Sequence, residues 1–79
     1  LYKIVGGQAE ALEFIVADSA KFAGIPLKDL KTKPNVLIAC IIRNSKIIIP
    51  RGGDALEPRD SVVVVTANQY LRDLSDILA

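Results

Sequence analysis

The stretch "NVLIACIIRNSKIIIP", residues 35–50, decides the fold. Two apolar runs rich in β-branched residues flank Asn44-Ser45, and such runs bounded by turn residues read as strands. Asn tolerates left-handed backbone, so a two-residue loop at 44–45 makes the stretch a β-hairpin. Counting outward from the turn pairs Arg43 with Lys46, Ile42 with Ile47, Ile41 with Ile48, Cys40 with Ile49 and Ala39 with Pro50. Side chains alternate across a sheet. Arg43, Lys46, Ile41, Ile48, Ala39 and Pro50 are therefore expected on one face. Ile42, Ile47, Cys40, Ile49 and Ile38 are expected on the other, as the core. Like charges directly opposite one another destabilise a sheet, so the Arg43–Lys46 pair needs a reason. Either an anion meets the two cations above an isoleucine floor, or they diverge into water at an exposed tip while the isoleucines pack a partner chain.

Outward from the hairpin, "AEALEFIVA" (9–17) puts Leu12, Phe14 and Val16 on one side of a strand. "DSAKFAGIPLKDL" follows. Gly24 can take a positive φ, and Pro26 suits the start of a short helix. Leu27 and Leu30 then fall on one side of it. "KTKPN" is a polar connector. The strand 36–42 is apolar on both faces, which calls for a second layer of helix or another chain. "RGGDALEPRD" (51–60) is a Gly-, Pro- and Asp-rich loop, and "SVVVVT" (61–66) a buried strand. In "ANQYLRDLSDILA", Leu71, Leu74, Ile77 and Leu78 form a helical stripe, with Asn68 or Thr66 as its cap. The expected architecture is α+β: a mostly antiparallel sheet of about four strands in the order β-α-β-β-β-α, with a short helix and a C-terminal helix, forming a homodimer. Residues 1–8 are expected to be a linker remnant and 9–79 one domain.

Seventy-nine residues make one small domain with a small core. One cysteine and no histidine rule out an internal disulfide and a His-containing zinc site. Cys40 reads as a small buried hydrophobe. The 51% apolar content points to extra burial by oligomerisation. A net charge of +1 argues against a nucleic-acid partner, including the alternative of a swapped-hairpin DNA-binding domain. No apolar run approaches the roughly 18 residues of a membrane span. Without histidine there is no Ser-His-Asp or Cys-His arrangement, and neither a Walker loop nor G-x-G-x-x-G is present. Asp54, Glu57 and Asp60 cluster in one loop, where acids are ordinary turn residues. Lys28, Lys31 and Lys33 read as a solvated connector. No enzyme, metal site or resident cofactor is expected.

"ALEFIVADSAKFAGIPLKDL", "NVLIACIIRN-KIIIPRG" and "LEPRDSVVVVT" together resemble the C-terminal domain of TrkA-type potassium-uptake regulators, the C-terminal half of an RCK (regulator of potassium conductance) subunit. Two positions depart from the family's pattern: Arg59 and Ser45 stand where glycine is common. The resemblance implies a cytoplasmic homodimeric regulatory domain, peripheral to the membrane through a potassium channel or transporter subunit. It also implies, for some relatives, cyclic di-AMP bound at the dimer interface by apolar residues and polar hairpin groups. The expected ligand-binding set is Arg43, Asn44, Lys46, Ile41, Ile48 and Pro50. A ligand-free dimerisation module is the alternative.

Overall fold

The computed structural model describes residues 2–67 and 69–79. Five strands form one antiparallel sheet: β1 (Tyr2–Ile4), β2 (Ala9–Ile15), β3 (Val36–Arg43), β4 (Lys46–Ile48) and β5 (Ser61–Thr66), in the spatial order β1-β2-β5-β3-β4. The run 61–66, β-branched from Val62 to Thr66, takes the centre, where both edges are paired. The fifth strand, beyond the four expected, comes from Tyr2–Ile4 in the stretch read as linker.

The hairpin forms in the expected register nearest the turn: Arg43 opposite Lys46, Ile42 opposite Ile47, Ile41 opposite Ile48. Asn44 and Ser45 both have positive φ, 52° and 65°, as the turn that matches strand twist requires. The two faces are reversed from expectation. Ile41 is fully buried, whereas Ile47 and Ile49 are 71% and 72% exposed. The cause is a bulge: β3 shifts register against β5 between Ile38 and Cys40. One extra residue at Ala39 flips the alternation. Val36, Ile38 and Ile41 therefore share the core face, and Leu37, Cys40 and Ile42 share the other.

The core lies on one side of the sheet. Ile41, Val62 and Val64 meet Val16, Leu56, Leu71, Leu74 and Ile77, with Leu12, Phe14, Leu27 and Ile48 packed around them. The layer over the sheet is loop and 3-10 turn, not the two expected helices. Pro26 precedes a single 3-10 turn, Leu27–Asp29, after Gly24 at φ +83°. In the C-terminal stripe, Leu71, Leu74 and Ile77 are core residues as the pattern required, but only Leu74–Ile77 winds, as a 3-10 helix. Asp73, in extended geometry, caps it by accepting from Leu74 N–H at 2.9 Å. The Asp76 carboxylate accepts from the N–H groups of Arg72 and Asp73 at 2.8 and 3.0 Å. These bonds start a turn at 73 and stop helix from running through it. The tail then pairs with the connector, Lys33 N–H to Ile77 C=O and Ala79 N–H to Lys31 C=O. Of the two expected caps, Thr66 ends β5 instead, and Asn68 lies outside the described residues.

Among the described residues nothing covers the other side of the sheet. Cross-strand rows place Leu37 beside Val65, Cys40 beside Val63, and Ile42 beside Ile47 there. Glu13, bonded to the Ser61 hydroxyl, marks its polar margin.

Candidate functional site

The hairpin's like charges are resolved inside the chain. Arg43 lies on the core side of β3, under the loop 51–60. Its Nε donates to Asp60 Oδ1 at 2.9 Å and its Nη2 to Asp60 Oδ2 at 2.7 Å. Nη2 also donates to the Ala55 carbonyl at 3.0 Å, and Nη1 pairs with Glu57 Oε2 at 2.8 Å. Asp60 is 2% exposed and accepts in addition from Glu57 N–H at 2.9 Å. The bond from Arg43, helped by that N–H, holds the Asp60 carboxyl below its ordinary range against the opposing effect of burial. Two of the three loop acids thus serve Arg43. The third, Asp54, accepts from Arg51 N–H at 2.7 Å and shapes the turn. Among the described residues no cluster of potential metal ligands exists, and no helix is long and apolar enough to cross a membrane.

The expected ligand-binding residues are therefore scattered. Ile41 is in the core, Ile48 packs against it, and Arg43 is engaged with Asp60. Asn44 and Lys46 are exposed at the tip, and Pro50 is half-buried at the mouth of a cleft of about 260 Å³. The cleft forms because the loop folds back on the Leu27–Asp29 turn. Leu27 N–H donates to Asp54 C=O at 2.8 Å and Lys28 N–H to Gly52 C=O at 3.0 Å. Gly52 suits this approach: a Cβ there would lie 3.2 Å from Lys28 Cβ. Leu37, Ile38 and Pro50 supply apolar surface, and Lys28 and Arg51 supply positive charge. Leu37, 62% exposed, also belongs to the uncovered sheet face, so the cleft opens at the edge of that face. Sequence reasoning missed Lys28, Leu37 and Arg51 as a group because the fold-back of 51–54 joins them. The Gly-Gly pair beside Arg51 was the available signal.

The TrkA-C domain family model matches residues 11–79, and the chain belongs to that family. It is 38% identical over 72 residues to a Trk system potassium uptake protein TrkA homolog of Archaeoglobus fulgidus, covering 91% of this chain and 16% of that protein. It is 29% identical over 72 residues to TrkA homolog 2 of Methanosarcina mazei, again 91% of this chain and 16% of that protein. With TrkA of Mycobacterium tuberculosis the identity is 26%, and the shares are 91% and 33%. The chain thus spans a sixth to a third of these relatives. A solved structure described as an RCK domain with cda superposes with a TM-score of 0.71 at 26% identity, covering 87% of this chain and 97% of that one. The fold is RCK-like.

Proposed function

We propose that the chain is a cytoplasmic regulatory domain of a potassium-uptake system, which pairs with a second copy through the uncovered sheet face and senses a small ligand at the edge of that interface. The observation that carries this reading is the open face itself. Leu37, Cys40, Ile42 and Ile47 on β3 and β4, with Ile49 just past β4, form an apolar surface that no other described residue covers. A folded chain of 8.5 kDa is expected to expose roughly 4,700 Å², and this one exposes 5362 Å². A standard interface takes roughly 800 Å² from each partner. The strand that is apolar on both faces then has the second layer its sequence calls for.

Cyclic di-AMP is the ligand this reading names. A base would lie on Leu37 and Pro50 while a phosphate meets Lys28 and Arg51. One cleft of about 260 Å³ falls short of the roughly 300–1,000 Å³ of a complete small-molecule site, so a two-fold ligand would span the clefts of two copies. Support also comes from the neighbour solved with cda. From the hairpin set this keeps Pro50 and places Asn44 and Lys46 as outer contacts, with Ile41, Ile48 and Arg43 as the support beneath. Ligand bound across two copies would favour one relative orientation of the pair, through its differential affinity for the two states, and so bias the attached transport protein. Calorimetric titration with cyclic di-AMP tests it. Saturable heat that is lost in Arg51→Ala and Lys28→Ala supports the reading. Absence of heat at a ligand concentration that would saturate a micromolar site leaves the ligand-free dimerisation module.

A further inference from the structure

β2 runs for seven residues, Ala9–Ile15, but β1 covers its outer edge only from Ala9 to Ala11. Just past β2, Val16 N–H donates to the Asp60 carbonyl at 2.9 Å, and the Val16 carbonyl accepts from Arg59 N–H at 2.8 Å, so the backbone of Val16 faces the β5 side. Backbone groups alternate between the two edges of a strand. The N–H and C=O groups of Glu13 and Ile15 therefore point to the outer edge, beyond the end of β1. Among the described residues no backbone hydrogen bond reaches them there. Both residues are exposed, Ile15 to 64%, so another chain can approach. Unpaired N–H and C=O groups along a strand are a template for a further strand.

Cavities lie at both ends of this open edge. At the β1 end, Tyr2, Ala11, Leu12, Glu13 and Val63 line a notch of about 310 Å³. At the other end, Ile15, Phe22, Leu74 and Leu78 are the apolar walls of a cleft of about 350 Å³, where Lys21 and Asp73 add one charge of each sign. Strand addition draws its affinity from main-chain bonds and its specificity from pockets for alternate side chains, and both are present here. We propose that this edge binds an extended segment of a partner protein as an added strand, antiparallel to β2 like every other pair in the sheet. Two residues of the segment, two positions apart, exchange main-chain bonds with Ile15 and then with Glu13. Opposite charges facing across strands stabilise a sheet and like charges destabilise it. The residue opposite Glu13 is therefore a lysine or arginine, next in line to Tyr2. The residue opposite Ile15 is apolar and packs at the mouth of the apolar cleft. The segment reads apolar-x-basic. Neither cavity shares a lining residue with the Pro50 cleft, and β5 separates this edge from the apolar surface of β3 and β4. The site thus stands apart from the nucleotide and from pairing of two copies.

The test is a proton–nitrogen correlation NMR titration of the chain with the capped heptapeptide TTLTKTT in about 0.15 M salt, where non-specific attraction is screened. The expected result is saturable shifts, largest at the amides of Glu13 and Ile15, which gain a partner. N-methylation of the peptide's leucine and lysine removes the two N–H groups aimed at the edge and should raise the Kd about tenfold or more. N-methylation of the threonine between them, whose N–H points away, should not. Glu13→Lys changes an exposed side chain, and should weaken TTLTKTT and tighten TTLTETT. No saturable shift at millimolar peptide overturns the proposal. So does an equal loss from the two N-methylation patterns, or a Glu13→Lys chain that binds both peptides as the native chain does. Shifts of the Glu13 and Ile15 amides that follow protein concentration without peptide would assign the edge to a second copy, and overturn it too.

Discussion

Arg43 grips Asp60 through two parallel hydrogen bonds, Nε to Oδ1 at 2.9 Å and Nη2 to Oδ2 at 2.7 Å, across the gap between the hairpin and the loop before β5. The pair ties the loop 51–60 down over the core side of the sheet. It lies on the side of the hairpin that the bulge at Ala39 turns toward the core. Arg43→Ala would leave a buried carboxylate without its cation, so we expect a loss of about 3–5 kcal/mol. Arg43→Lys should recover only part of it, because a single ammonium cannot reproduce the fork. Urea unfolding of the three proteins checks this. A neutral or stabilising Arg43→Ala, as expected if the arginine were a free tip residue repelled by Lys46, would contradict it.

The same pair makes stability depend on acid. Asp60 is held below its ordinary range by Arg43 and by Glu57 N–H. A depressed folded-state value means the stabilisation is present above the unfolded value, about 3.9. It is lost as pH falls from there through the folded value. Asp76, held down by the N–H groups of Arg72 and Asp73, acts in the same direction. Melting temperatures below pH 4 should therefore fall, and Asp60→Asn, less stable at neutral pH, should show a shallower acid limb than the native chain. An identical acid limb in the two proteins would remove Asp60 from the account.

Arg59 has φ +72° and Ser45 φ +65°, left-handed values that glycine adopts without strain. Left-handed backbone costs a residue with a Cβ about 1–2 kcal/mol, partly offset because glycine is freer when unfolded. Arg59→Gly and Ser45→Gly should each stabilise the fold by about 0.5–1 kcal/mol. Arg59 gives up only an exposed 3.7 Å pairing with Asp18, which is worth little. Thermal melts decide it: a drop in melting temperature for Arg59→Gly would mean that this pairing outweighs the strain.

Four of the five strands and the hairpin register nearest the turn were legible in the sequence because alternation and turn chemistry are local. The faces of β3 were not, since one bulged residue at Ala39 reverses every side chain after it and nothing in "LIACII" (37–42) marks the place. The helices failed for a related reason. The spacing of Leu71, Leu74 and Ile77 does mark burial, but the Asp73 and Asp76 side chains bond the backbone locally and confine the winding to four residues. At the candidate site, Pro50 was legible from the hairpin, whereas Lys28 and Arg51 meet only through backbone hydrogen bonds between distant loops. Asp60 was read as a turn acid, and a buried counter-ion for Arg43 is a tertiary fact.

The central claim, that the uncovered sheet face joins two copies, is tested most directly by sedimentation equilibrium of the native chain and Ile47→Glu at micromolar concentration. Ile47 is 71% exposed, so a carboxylate there leaves the single chain's core intact. In the pair it would be buried without a cation, at a cost of several kcal/mol. The account predicts twice the 8.5 kDa chain mass for the native protein and the single-chain mass for Ile47→Glu, with both folded. A native chain that stays monomeric, or a dimer that survives Ile47→Glu unchanged, would contradict it.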